Sequence, residues 1–261
     1  MKIDDLRTQY GGNTPAAFDY AVKQTDEYRA AKDDIGRAVA VAAAAILLRK
    51  DATDGGAAMA RAEQQARAVH GAEKGLVDDE GALTWVPSGP VNHKTLNGGN
   101  DFVEFVLGKR ETFRVDKSST TINCWEAVLA GAMFGGVLRS PEQLRKIYTS
   151  QHAFTDKLVE VLVSGAGREW SPAKHLGQPV RGDIVLFSGL DHVVIATGNN
   201  TSAYTEVLNF WPAPHAKQFG PRTPTTMYHT SIEDIGVWLT LNMPSHKLAV
   251  TFGAPNWNAL N

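Results

Sequence analysis

The chain's one cysteine, Cys124, lies where the uncharged stretch Thr120-Thr121-Ile122-Asn123 gives way to the apolar run Trp125-Glu126-Ala127-Val128. That pattern predicts a helix with the sulfur in its first turn. Unpaired N–H groups and the positive end of the dipole favour a thiolate there, so the position suits a nucleophile. A lone cysteine more often only fills core volume as a small hydrophobe. A base has to be found elsewhere in the chain.

Arg181-Gly182-Asp183 followed by Ile184-Val185-Leu186-Phe187 reads as a turn and a buried strand, and Ser188-Gly189-Leu190 connects it to His192-Val193-Val194-Ile195-Ala196-Thr197-Gly198. Two apolar strands across a short glycine-containing connection predict an antiparallel hairpin, with His192 at its rim. A helix packed across the sheet would bring Cys124 to that rim, where an imidazole can take the thiol proton and return it to a leaving group. The next strand, Ala203 to Trp211, offers Glu206 or Asn209 to orient the ring. Glu206 is preferred, because a carboxylate among strand-forming residues is costly to bury unless paired. Three positions separate the two residues, which puts them on opposite faces of a regular strand.

The order of Asn123-Cys124-Trp125, Arg181 to Phe187 and His192 to Gly198 resembles the NlpC/P60 and CHAP branch of the papain-like cysteine hydrolases, over roughly the last 140 residues. The resemblance implies an α+β papain-like core, a nucleophile helix on an antiparallel sheet preceded by an N-terminal helical region. It implies Cys124 as nucleophile, His192 as base then acid, and Glu206 as the third residue. Asn123, Trp125, Asn209 and Trp211 are expected at the substrate. Many members carry Asp-Cys-Ser-Gly where this chain has Asn123-Cys124-Trp125-Glu126, so the surface beside the sulfur departs from the family. The implied activity is amide hydrolysis through an acyl-enzyme, with bacterial cell-wall peptides as substrate. An antibacterial effector toxin with an inhibitory immunity partner fits that description. The same dyad also serves glutamine deamidases, transglutaminases and acyltransferases acting on proteins, and a third reading is a non-catalytic binding module on a hydrolase scaffold.

Elements that must position these groups are legible in outline. Residues 1–80 read as an alanine-rich helical region, with a start at Asn13-Thr14-Pro15 and a break at Asp51 to Gly56 that separates a long helix from a second over Ala57 to His70. Residues 81–121 read as a wrapping linker containing a short strand at Ala82 to Val86. Residues 122–261 hold the expected catalytic core. In it the nucleophile helix stops at Gly135-Gly136, and Ser140-Pro141-Glu142-Gln143 starts another. A helix over Thr155 to Val163, a proline-punctuated rim loop from Pro212 to Pro224, a strand at Thr225 to His229, a helix capped by Ser231 and a closing strand at Lys247 to Phe252 follow.

Composition bounds the remaining possibilities. At 261 residues and 43% hydrophobic content the chain can bury a large core, and a net charge of −2 gives no electrostatic case for nucleic acid. One cysteine excludes an internal disulfide. The longest apolar run, Ala38 to Leu48, has 11 residues, against the roughly 20 that span a bilayer. It begins too late for a cleavable leader, so export is expected to use a leaderless secretion system. The seven histidines besides His192 show no metal-ligand spacing, and phosphate-loop and dinucleotide fingerprints are absent, so no metal or cofactor is expected.

Overall fold

The computed structural model describes residues 1–12, 14–77, 83–85, 100–115, 120–148, 163, 167–188, 192–201, 204–211, 226–242 and 247–260. The rim loop from Pro212 to Pro224, and the helix expected over Thr155 to Val163 apart from Val163 itself, lie outside them. The fold is α+β.

The N-terminal region is helical, but its first half is divided. Short helices α1 (Leu6–Gln9), α2 (Pro15–Lys23) and α3 (Asp26–Ala30) precede α4 (Asp34–Leu48) and α5 (Gly55–Leu76). Each break carries its own N-cap. Thr14, Thr25, Asp33 and Asp54 accept from the backbone N–H three residues on, so cap chemistry overrides the helix propensity of the intervening residues. The alanine run of α4 is buried from Ala42 to Leu47, with Ile3, Leu6, Phe18 and Val22 packed around it. Helix α5 closes the hairpin and has two buried faces. Ala58, Ala62 and Ala66 face α4, whereas Ala68, Ala72 and Leu76 belong to the central core.

Six antiparallel strands form the main sheet: β3 (Arg168–Glu169), β4 (Ile184–Phe187), β5 (His192–Asn200), β6 (Thr205–Asn209), β7 (Tyr228–Ser231) and β8 (Val250–Gly253), in the order β3-β8-β4-β5-β6-β7. Both faces are covered, which is why the strands read as continuous apolar runs. One face, with Ile184, Leu186, Val193, Ile195 and Leu208, packs against α7 (Cys124–Phe134). The other, with Val185, Phe187, Val194, Val207 and Trp211, packs against Ile235, Trp238 and Leu239 of the last helix, Ile232–Asn242. Ser231 caps that helix by accepting from Asp234 N–H at 3.0 Å.

The described part of residues 81–121 is more than a linker. Strands β1 (Leu83–Trp85) and β2 (Thr120–Ile122) pair in parallel, and α6 (Asp101–Val106) buries Phe102, Val103, Phe105 and Val106 in the core that holds α7. Phe and Val at these spacings give a six-residue helix one apolar side, and Asn100 caps it by accepting from Val103 N–H.

Two contacts lock the helical region onto the core. Helices α5 and α7 cross through glycines: a Cβ on Gly71 would lie 2.2 Å from the Gly131 carbonyl oxygen, and one on Gly135 would lie 2.1 Å from that of Arg67. Behind them the Arg49 guanidinium meets Asp183 at 2.7 Å, with both side chains fully buried. Asp183 also accepts from Val180 N–H and Gln65 Nε2, so the buried charge is fully coordinated. Gly182, at φ +85°, lets this turn approach Gln65 to a distance no side chain would allow.

Candidate active site

Asn123 caps α7. Its side-chain oxygen accepts from Glu126 N–H at 3.0 Å, while Glu126 Oε2 accepts from Asn123 N–H at 2.8 Å, a complete capping box. The same carboxylate receives Asn100 Nδ2 and interacts with the Tyr148 hydroxyl, so Glu126 joins the N-caps of α6 and α7. Burial is the main reason its pKa rises to about 8. This device fixes the first turn of α7 and the cysteine that begins it.

Cys124 is 6% exposed, and its sulfur meets the strand: the backbone N–H groups of Val193, Trp125 and Cys124 itself point at it. These donors favour a thiolate, but burial outweighs them and pushes the thiol up to about 12, with the nearby Glu126 carboxylate adding to the rise. Buried in this way, the thiol keeps its proton at pH 7.

His192, one residue before Val193, turns its ring to the other face of β5. It lies between Phe187 on β4 and Trp211 beyond β6, with the Trp211 ring stacked at 4.4 Å. Burial drives its pKa down to about 3, against the opposing effect of Asn209, so the imidazole is neutral at pH 7. Nε2 is 2.7 Å from Asn209 Oδ1, whereas Nδ1, fully enclosed, has no hydrogen-bond partner among the described residues. The structure therefore brings thiol and imidazole to consecutive residues of one strand without a hydrogen bond between Nδ1 and Sγ.

Glu206 is not at the ring. Ile195 pairs with Leu208 and Ala196 with Val207, a register that puts Asn209 on the His192 face of the sheet and Glu206 on the other. There Glu206 accepts from Thr197 Oγ1 and Asn199 Nδ2, each at 2.8 Å, and lies 3.2 Å from His229 Nδ1. Buried Thr197 and surface Asn199 and His229 satisfy its charge, which removes the argument that it must pair with His192. Asn209 takes the orienting place instead.

The other expected substrate contacts are committed within the protein. Trp125 is buried in the core behind α7, and Asn123 spends its side chain on the cap. Asn209 holds His192, and Trp211 covers the imidazole while standing edge-on to Trp238 at 5.0 Å. Tyr228 belongs to the site and was read from sequence only as part of a strand. It is the direct cross-strand partner of Asn209, and its hydroxyl receives Asn209 Nδ2 at 2.7 Å. An Asn and a Tyr on successive antiparallel strands were the available signal, visible only once the register is known.

Among the described residues no cluster of three or more His, Cys, Asp or Glu side chains is arranged to hold a metal ion, and no helix is long and apolar enough to cross a membrane. Comparison with protein-family models, curated proteins and solved structures finds no match.

Proposed function

We propose that the protein is a cysteine-dependent amide hydrolase of papain-like type, with Cys124 as nucleophile, His192 as general base then acid, and Asn209 as the residue that orients the imidazole. The observation that carries this reading is the division of labour on the ring: Nε2 is held by Asn209 while Nδ1 is left unpaired among the described residues, in a buried site beside the strand residue whose N–H points at the sulfur. A buried ring nitrogen without a partner is costly, and a proton acceptor awaiting the thiol accounts for that cost.

For Nδ1 to reach Sγ, the His192 ring must leave the face of β5 that it occupies here when substrate binds, a larger movement than the tightening of a contact already made. Nδ1 then takes the thiol proton as sulfur attacks the amide carbonyl carbon. The N–H groups at the sulfur favour its thiolate as the proton leaves, and formation of the S–C bond moves the carbonyl π pair onto oxygen, giving a tetrahedral intermediate. The C–N bond breaks as His192 returns the proton to the amine, and a water activated by the same nitrogen hydrolyses the thioester. The order of the three sequence motifs supports cell-wall peptides as the substrate class, and with it an antibacterial effector role and an inhibitory protein partner.

Purified peptidoglycan treated with wild type, Cys124→Ala and His192→Ala, with released fragments identified by mass spectrometry, tests the substrate. New amine and carboxyl ends are expected with wild type alone. The chemistry is tested separately by iodoacetamide alkylation of the folded protein. A Cys124 that reacts only after denaturation, at the same rate with and without His192, overturns the hydrolase reading.

A further inference from the structure

The imidazole of His192 is one end of a chain of hydrogen bonds whose polarity is determined at the other end. The Trp211 backbone carbonyl can only accept, and the Tyr228 hydroxyl donates to it at 3.4 Å. Having donated its one hydrogen, the Tyr228 oxygen is left to accept, and Asn209 Nδ2 supplies the donor at 2.7 Å. That turns Asn209 Oδ1 toward the ring, where the nitrogen at 2.7 Å must carry a hydrogen to bond it. Burial removes the alternative of water at the link between ring and amide, since His192 and Asn209 are enclosed and the Trp211 indole lies over the ring.

We infer that Tyr228 is a positioning residue that selects the tautomer of His192, with the hydrogen on Nε2, and thereby leaves the Nδ1 lone pair free to act as base. The inference rests on the hydrolase reading for its purpose, but not for its physics. An asparagine side chain is nearly symmetric in shape, and reversing it exchanges donor for acceptor. With its amide reversed, Asn209 would donate to Nε2 and place the hydrogen on Nδ1, a form that cannot take a thiol proton. Tyr228 opposes that reversal, because a reversed amide would present its oxygen to the hydroxyl and draw the hydrogen away from the Trp211 carbonyl. Position 228 is set by the sheet itself, since Asn209 and Tyr228 are paired residues of β6 and β7. Glu206 and His229, the nearest titratable groups on these two strands, lie on the opposite face and bond each other.

Nitrogen-15 NMR of histidine-labelled protein at pH 7 reads the tautomer directly, because protonated and unprotonated ring nitrogens are well separated in shift. Wild type is expected to show His192 with hydrogen on Nε2. Tyr228→Phe removes the hydroxyl with little change of shape, and should convert a comparable or larger share of molecules to the Nδ1–H form. Tyr228→Phe combined with Asn209→Asp should restore the Nε2–H form, because a carboxylate accepts from either side and cannot donate. Loss of packing at position 228 would not be repaired by that second change. A wild-type ring with hydrogen on Nδ1, a measurement that needs no variant, overturns the inference, and so does a Tyr228→Phe protein that keeps Nε2–H entirely. If the tautomer follows this pattern while Cys124 shows no His192-dependent reactivity, the positioning role stands and the hydrolase reading falls.

Discussion

Gly71→Ala is a substitution for which helix propensity and packing make opposite forecasts. Gly71 lies inside α5, where alanine is favoured over glycine by about 0.8–1.0 kcal/mol. The new Cβ would stand 2.2 Å from the Gly131 carbonyl oxygen and 2.3 Å from Gly135 N, both backbone atoms of the helix pair's crossing. Backbone cannot rotate away as a side chain can, so α5 and α7 must separate. Overpacking costs about 1–3 kcal/mol, and a backbone collision this close belongs at or above the top of that range. Subtracting the propensity gain leaves a net loss of about 2 kcal/mol. For a protein of this size that is a fall of about 4–8 °C in Tm. Gly75→Ala meets only the Phe134 ring, which is partly exposed and can swing aside, so its loss should be smaller. Gly56→Ala, whose nearest neighbour is Asp54 Oδ1 at 3.3 Å, is the control and should be neutral or slightly stabilising. Differential scanning calorimetry of the three variants gives the ranking. A Gly71→Ala protein as stable as wild type, or more so, would refute the described crossing of α5 and α7.

Three further outcomes follow from the site and its supports. Glu206→Ala should leave the rate and pH profile of Cys124 alkylation as in wild type, whereas Asn209→Ala, which releases Nε2, should change both; equal effects would return Glu206 to the ring. Arg49→Met strands a buried Asp183 and should cost about 3–5 kcal/mol, read as a lower urea midpoint. The pH dependence of stability has two arms of opposite sign. Burial holds the Glu126 pKa at about 8, above the roughly 4.3 of an unfolded glutamate, so its contribution is complete below about 4.3 and lost as pH rises through 8. Burial depresses His192 from about 6.5 to about 3, so its contribution is complete above about 6.5 and lost as pH falls through 3. Glu126→Gln, which can still accept from Asn123 and Asn100, should flatten the Tm profile between pH 5 and 8 and leave the acid arm in place.

Features encoded by neighbouring residues were legible in the sequence. The helix start that puts Cys124 in the first turn, the stop at Gly135, the hairpin from Ile184 to Gly198 and the Ser231 cap all depend on three or four consecutive positions, and they stand where the pattern puts them. Whatever depends on pairing between distant segments was not. Glu206 and Asn209 were both in view, but choosing between them needs the register of β6 against β5, which no single strand carries. Burial of a charge argued for Glu206, yet its partners Thr197 and Asn199 come from the adjacent strand. Trp125 and Asn123 flank the thiol in sequence, and side-chain direction and capping commit them elsewhere. Gly131 read as an ordinary helix residue and Gly71 as lying just past a helix that in fact runs on to Leu76, because close approach of two backbones leaves no local mark beyond small side chains. The core role of α6 was hidden because six residues between turn clusters give too short a period to recognise.

The position of β8 in the sheet bears on how the molecule comes into being. Val250–Gly253 sits between β3 and β4, so the strand carrying His192 belongs to a sheet whose interior is filled by the strand translated after all its others. Until a ribosome has passed residue 253 and released it, β4 has a bare edge and β3 has no partner. The helical hairpin and α7 emerge long before, with local contacts that can form at once, and must wait for the sheet that their apolar faces cover. Chain synthesis itself thus acts as a timer on the thiol: Cys124 is made well before residue 253, but the strand against which it is seated cannot join a complete sheet until β8 has followed.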